Sequence, residues 1–320
     1  MNLIKCDFKL DWQYPACTEK QAYYNHSNKY NFENKDFVYI AAPWASIIDY
    51  YWNTWNCEDF FNCKHFVSFL SSIKKYDLDK KQSFTVCQHI KWKKLRFLWK
   101  KLNIKNVFLS HMSNNIKDDY INFRPWHLMA VNYEIPQRNL ELNFKKDKKI
   151  FFSFIGAYEK KHYRSDIRPN LEIIFKKNNF KNCIFELNKE WFYEDLVYKK
   201  QVCGVDLDKI FYKNNMKKTI RYNHVLSNSI FSLCPEGSGP NTIRLWESMA
   251  VGTIPVLFEN DWIPPKLPNV NWEDIAVFIN KKDTENFFDI LKSIKKDKIN
   301  FMQLSCLNAY QKFRINTCFE

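Results

Sequence analysis

Residues 229–265 read SIFSLCPEGSGPNTIRLWESMAVGTIPVLFENDWIPP. Ile230–Pro235 is a short apolar strand, Glu236-Gly-Ser-Gly-Pro240 a turn, Asn241–Val251 a helix, and Thr253–Phe258 a second strand. Strand, turn, helix and strand in that order form the repeating unit of a parallel sheet. A helix that begins after such a turn offers free backbone N–H groups and the positive end of its dipole to an anion. Pro240 is compatible with a first helical turn, and Gly252 reads as the cap that ends the helix. Gly237 and Gly239 stand where the backbone turns at a strand end and a ligand can approach closely.

Arg244 and Glu247 lie three residues apart and therefore share one face of that helix. A cation one turn into a helix opposes the dipole, so a bound phosphate or a nearby carboxylate is its expected compensation. Glu247 has the chemistry to accept hydrogen bonds from paired ribose hydroxyls. The other reading of the pair is a surface ion pair worth a few tenths of a kcal/mol.

Working outward, the same alternation of short β-branched runs and longer helical patterns fills the chain. Strands are expected at Phe37–Ala42, Phe84–His89, Asn106–Ser110, Ile150–Gly156, Cys183–Leu187 and Ile275–Ile279. Helices are expected near Trp44–Asn53, Phe60–Lys75, Trp92–Leu102, Asp166–Lys177, Met216–Ser227, Thr284–Lys295 and Phe301–Phe313. The polar stretch Tyr133–Lys149 divides the 320 residues into a first unit, 1–145, and a second, 146–300, with 301–320 as a terminal helix able to pack back on the first. Two such halves leave a cleft between the C-terminal ends of their strands, where open α/β sheets bind ligands.

Composition narrows the classes. With 46% hydrophobic residues, disordered and collagen-like chains are excluded. The net charge of +14 points to anionic partners, and only eight of the 49 cations are Arg, the residue suited to forked phosphate recognition. None of the ten Cys sit at C-x-x-C spacing and several lie in apolar runs, so they read as reduced core residues of a cytosolic protein. The first residues lack an apolar signal region and no run of about 18 apolar residues occurs, so export and membrane spanning are not expected.

Three pieces, Ser232-Leu-Cys-Pro-Glu-Gly237, Thr242-Ile-Arg-Leu-Trp-Glu247 and Gly252-Thr-Ile-Pro-Val256, followed by Asn260-Asp-Trp262, resemble the C-terminal motif of the exostosin family of glycosyltransferases. The Arg-x-x-Glu helix and Gly-x-x-Pro-Val strand are also similar to fucosyltransferase donor sites. Phe152-Ser-Phe-Ile-Gly-Ala157 with Arg168 and Leu171 looks like the strand and helix that open the family's donor domain. The resemblance implies an α/β fold of GT-B type, two Rossmann-like domains facing across a cleft, with a nucleoside-diphosphate sugar on the second. It implies that Glu247 holds the ribose and Arg244 the departing diphosphate. Asn241, Thr242, Gly237 and Ser238 add donors, Gly156 and Arg168 line the other side, and Glu236 faces the donor sugar or caps its turn. Preorganised donors aimed at a leaving group that gains charge lower the barrier.

An inverting transfer, as in that family, needs a base from the first half. His89 and His111 are the candidates, with Asp49, Asp118, Asp119 and His127 behind them. Asp206-Leu-Asp208 fits the D-x-D pattern of metal-dependent transferases but precedes a Lys-rich helix, so it is read as a loop or cap, and no metal or cofactor is expected. The expected partners are a nucleotide sugar, UDP-sugar favoured, and a glycan or lipid-linked glycan of surface polysaccharide, lipopolysaccharide or viral type. Lys91–Lys101 is a basic amphipathic segment that reads either as an ordinary helix or as a dock for an anionic membrane, which would place a cytoplasmic enzyme peripherally at the inner membrane face. The alternative class, a nucleic-acid-binding protein, has the charge in its favour and no RRM, KH, helix-turn-helix or zinc signature to support it.

Overall fold

The computed structural model describes residues 2–5, 11–29, 37–52, 71 and 82–318, and is α/β with two all-parallel sheets. In chain order the first half contains β1 (Asn2–Lys5), α1 (Thr18–Lys29), β2 (Phe37–Ala41), α2 (Trp44–Ile47), β3 (Gln82–Cys87), α3 (Arg96–Lys101), β4 (Asn106–Leu109) and β5 (Asn122–Pro125). A short helix α4 (Val131–Glu134) lies on the crossing segment. The second half continues with β6 (Ile150–Ala157), α5 (Ile167–Asn178), β7 (Ile184–Asn188), α6 (Lys209–Ser227), β8 (Ser229–Leu233), α7 (Ile243–Ala250), β9 (Ile254–Phe258), β10 (Val277–Ile279), α8 (Phe287–Ser293) and α9 (Lys296–Arg314). The helix expected at 60–75 lies outside the described residues.

The sheets differ in winding. In the first, the strands run β1-β2-β3-β4-β5, so their spatial order follows the chain and has no reversal. In the second the order is β10-β9-β8-β6-β7. Numbered within that half this is 2-1-3-4-5, the doubly wound order whose reversal falls between β6 and β8. The core shows the consequence. Leu171 of α5 packs with Phe152, Phe154 and Phe231 on one face, whereas Leu245, Trp246 and Met249 of α7 pack with Tyr310 and Phe313 on the other. The chain therefore leaves β6 and β8 in opposite directions and opens a crevice at their C-terminal ends.

Alternation along β2 builds both faces of the first sheet. Val38 and Ile40 enter a core with Trp44, Leu98 and Trp99, while Tyr39 and Ala41 face Ala22, Trp126 and Cys318. The basic segment contributes to the first of these: Trp92, Leu95, Leu98, Trp99 and Leu102 are buried there. Its apolar side chains are covered by the protein's own core, apart from Phe97, which is 40% exposed.

Two segments cross between the halves. Residues 128–142, which the sequence reading places in the first unit, pack on the second: Leu128 and Ala130 join Trp246 and Tyr310, and Leu142 joins Leu226 and Val251. The terminal helix α9 packs chiefly on α7, and the residues after it return to the first half. There Asn25 Nδ2 donates to the carbonyls of Arg314 (2.8 Å) and Asn316 (3.0 Å), and the Cys318 N–H donates to His26 Nε2 at 3.0 Å.

Candidate active site

Pro235, two residues past the end of β8, has no N–H to donate, and the turn behind it folds back on itself through Gly237 N–H to the Gly239 carbonyl at 3.1 Å. Residues at the C-terminal ends of β6 and β8 meet here. Arg168, on α5, is 7% exposed and bridges the two diverging strands. Its guanidinium donates to the carbonyls of Ala157 (2.7 Å), Glu236 (2.9 Å) and Pro235 (3.2 Å). Burial, and next the charge of Arg244, lowers its pKa to about 10, which leaves it fully charged at neutral pH. Arg168 thus holds the crevice in shape, with most of its donors directed at backbone.

Arg244 comes from the opposite wall. Its guanidinium lies 4.4 Å from the Phe154 ring centroid and donates to the Ile155 carbonyl, with Leu233 O at 3.5 Å. Arg168 leans on the same ring at 5.5 Å. Gly156 makes the approach possible: a Cβ there would sit 2.7 Å from Phe154 Cζ and 3.1 Å from Arg244 Nη2. Among the described residues neither cation has a carboxylate at ion-pair distance. Two guanidinium groups thus share one ring at the reversal of the parallel sheet, where open α/β sheets bind ligands.

Glu247 points the other way. It is 3% exposed, its carboxylate accepts from the Asn132 N–H (3.0 Å) and the Tyr222 hydroxyl (2.7 Å), and burial raises its pKa. Arg244 and Glu247 are therefore no surface ion pair. Asn132 is further held by Asn223, Arg138 and Tyr193, so Glu247 anchors the crossing segment. Asn241 is also committed. Its Oδ1 accepts from Thr242 N–H (2.8 Å) and Trp246 Nε1 (3.1 Å), and its Nδ2 donates across the cleft to Ser110 O at 2.8 Å. Thr242 is the N-cap of α7 without a capping side-chain bond. With Ser238 it lies half-buried at the turn, close to the helix start.

The first half brings His111 against that turn. A Cβ on Gly239 would collide with the His111 ring and sit 2.7 Å from Ile90 Cγ2, so only glycine fits. His111 Nδ1 is buried with no hydrogen-bond partner among the described residues. Burial, then the charges of His89 and Arg164, lowers its pKa to about 3, so the ring is neutral. His89 is placed differently: Nε2 faces Asp49 Oδ1 at 3.0 Å and Nδ1 accepts from the Lys91 N–H at 2.9 Å. Both its nitrogens are occupied. His127, a further candidate base, is buried among Trp126, Trp246 and Phe313. Asp118 is engaged by Arg96 and by the N–H groups of Tyr120 and Ile121, and Asp119 has no described role at the site. Asp208 caps α6, accepting from Phe211 N–H at 2.6 Å; the D-x-D run is a helix cap, as read from sequence.

Two residues escaped the sequence reading. Arg164, on the loop after β6, donates to both oxygens of Asp261 (2.7 and 2.9 Å) and to Glu236 at 3.1 Å. That leaves Glu236 paired with a cation at the turn. The scarcity of Arg was the available signal for Arg164; Asp261 stands in the quoted Asn260-Asp-Trp262 run, but its pairing was not legible because its partner lies 97 positions away.

The exostosin GT47 domain model matches residues 60–294 of the chain. The chain is 26% identical over 126 residues to an exostosin-1 homolog of Caenorhabditis elegans, covering 39% of this chain and 30% of that protein. It is 38% identical over 91 residues to a probable beta-1,4-xylosyltransferase of Arabidopsis thaliana, covering 28% and 22%. The matched stretch thus spans less than a third of either relative. Among solved structures, a sucrose-phosphate synthase from Thermosynechococcus elongatus superposes with a TM-score of 0.39 at 12% identity, over 91% of this chain and 72% of that one.

Proposed function

The chain belongs to the exostosin GT47 family, and from that premise we propose that it is a glycosyltransferase moving a hexosyl or pentosyl unit from a nucleoside-diphosphate sugar to a glycan acceptor. The observation that carries the donor site is the pair Arg168 and Arg244 on Phe154 at the β6/β8 reversal, two cations without an ion-pair partner among the described residues. Arg244, in the first turn of α7, faces the diphosphate near the helix start, and Glu247 receives the ribose hydroxyls. As the glycosidic bond to the diphosphate breaks, the leaving oxygen gains charge beside these fixed donors. This arrangement supports transfer without a metal. A UDP-sugar is the favoured donor, and a xylosyltransferase among the relatives suits a pentose or hexose.

His111 is the proposed base of an inverting transfer. Its Nδ1 lone pair is unengaged among the described residues and faces the donor turn, whereas both His89 nitrogens are occupied. A diphosphate bound beside it raises its proton affinity, offsetting the cationic neighbours that lower it. The acceptor is a glycan, free or lipid-linked, and the free thiols of the described cysteines suit a reducing, cytoplasmic location.

The test is calorimetric titration with UDP, GDP, CMP and ADP, without metal, against wild type and Arg244→Ala. Binding of one nucleotide, weakened about tenfold or more in the variant, is expected from loss of a charge-assisted contact. Absence of binding by all four, with salt-sensitive retention on RNA, would overturn the reading in favour of a nucleic-acid-binding protein.

A further inference from the structure

Arg164 lies at the mouth of the crevice. Its backbone N–H donates to the Gly237 carbonyl at 3.1 Å, which fixes the loop after β6 to the donor turn. Its guanidinium is a third of the way exposed, and its fork is filled by Asp261 and Glu236. Asp261 in turn touches the first half, because its carbonyl accepts from the Asn114 N–H at 3.0 Å. The result is one cation facing two carboxylates beside Arg168 and Arg244, both unpaired among the described residues, and its charge reaches His111.

We propose that Arg164 is a second diphosphate-binding residue of the donor site, held in reserve by Asp261 and Glu236 and transferred to the phosphates when the donor enters. The proposal rests on the donor-site reading above. The chemistry is an exchange of like for like, since carboxylate and phosphate both accept the guanidinium fork in two parallel bonds. Partly exposed ion pairs contribute little, so giving up Asp261 opposes binding weakly, whereas a diphosphate enclosed in the crevice gains more from the same fork. The exchange leaves Asp261 and Glu236 without a cation on the side where the acceptor enters, and it removes one positive neighbour from the His111 field.

The experiment is titration of UDP, GDP and ADP, each against its own nucleoside, with wild type, Arg164→Ala, Asp261→Asn and the double variant, thermal midpoints confirming that each is folded. Asp261→Asn keeps the backbone bond to Asn114 and is expected to tighten diphosphate binding severalfold without changing nucleoside binding. Arg164→Ala is expected to weaken the diphosphate about tenfold. The decisive comparison is the double variant with Asp261→Asn alone, because both lack the Asp261 charge. A loss of about tenfold between them supports direct contact, and equal affinities would overturn it, leaving the Arg164→Ala effect to exposed carboxylates. Arg244→Ala runs alongside: if it loses binding while Arg164 variants do not, the donor site stands and this inference fails. If neither variant alters binding, the donor-site reading itself fails.

Discussion

At the scale of single residues, Glu247 holds the crossing segment and is also the proposed acceptor of the ribose hydroxyls, and two substitutions divide the roles. Glu247→Ala leaves the Asn132 N–H and the Tyr222 hydroxyl without an acceptor, an expected loss of about 2 kcal/mol in urea unfolding. Glu247→Gln retains an acceptor and removes a charge whose burial is unfavourable. Its stability at pH 7 should match or exceed wild type while nucleotide binding falls. The sign follows from the raised pKa: the native state favours the protonated acid, so the group stabilises at acidic pH and that contribution is lost as pH rises through its native pKa. Arg168 came in through the family resemblance, and the placing of Gly156, Glu236, Gly237 and Arg244 at strand ends or in the first turn of a helix was legible in sequence. What each cation touches was not. Arg168 meets Pro235 and Glu236 across 67 and 68 positions, and no local pattern encodes such a contact.

At the scale of elements, strong periodicity was read well and weak periodicity was missed. The strand, turn and helix of 229–258 appear within a residue or two of their expected limits. Gly252, read as the cap of α7, adopts φ +60° just past its end. A Cβ there would sit 2.9 Å from Phe144 and 3.1 Å from Gln303 O, so Gly252→Ala is expected to lower stability by about 1–3 kcal/mol, checked by its thermal midpoint. Asp208→Ala removes the α6 cap and should lower stability by about 1 kcal/mol while leaving nucleotide affinity unchanged with and without Mg²⁺. The reading missed α1, whose TEKQAYYNHSNK lacks an apolar stripe and buries polar Thr18, Glu19 and His26 with Ala22. It also missed β5, four residues ending in a proline. Glu19 of α1 accepts from the N–H groups of Gln88 and Ala45, so buried hydrogen bonding, which hydropathy does not record, positions this helix.

At the scale of the whole molecule, two halves are joined along a seam of buried neutral histidines. Burial lowers His26 to about 4 and His127 to about 3. His26 Nδ1 faces Ala22 O at 2.6 Å, so Nε2 is the acceptor for Cys318 N–H and must be unprotonated to serve. Both shifts run downward, so the native state resists protonation. Their stabilisation is complete above the unfolded histidine pKa near 6.5 and is lost as pH falls towards 4 and 3. The His26 contribution is on the order of 3 kcal/mol. Thermal midpoints measured from pH 7 to 4.5 should fall, and His26→Asn should fall less over that interval. The return of residues 314–318 to α1 also sets an order of assembly. On the ribosome these residues emerge after the entire second half, yet Cys318 completes a core built on β2, β3 and β4. The half that is synthesised first is therefore finished last, and during translation the place of Cys318 in its core stays vacant until the chain comes back to fill it.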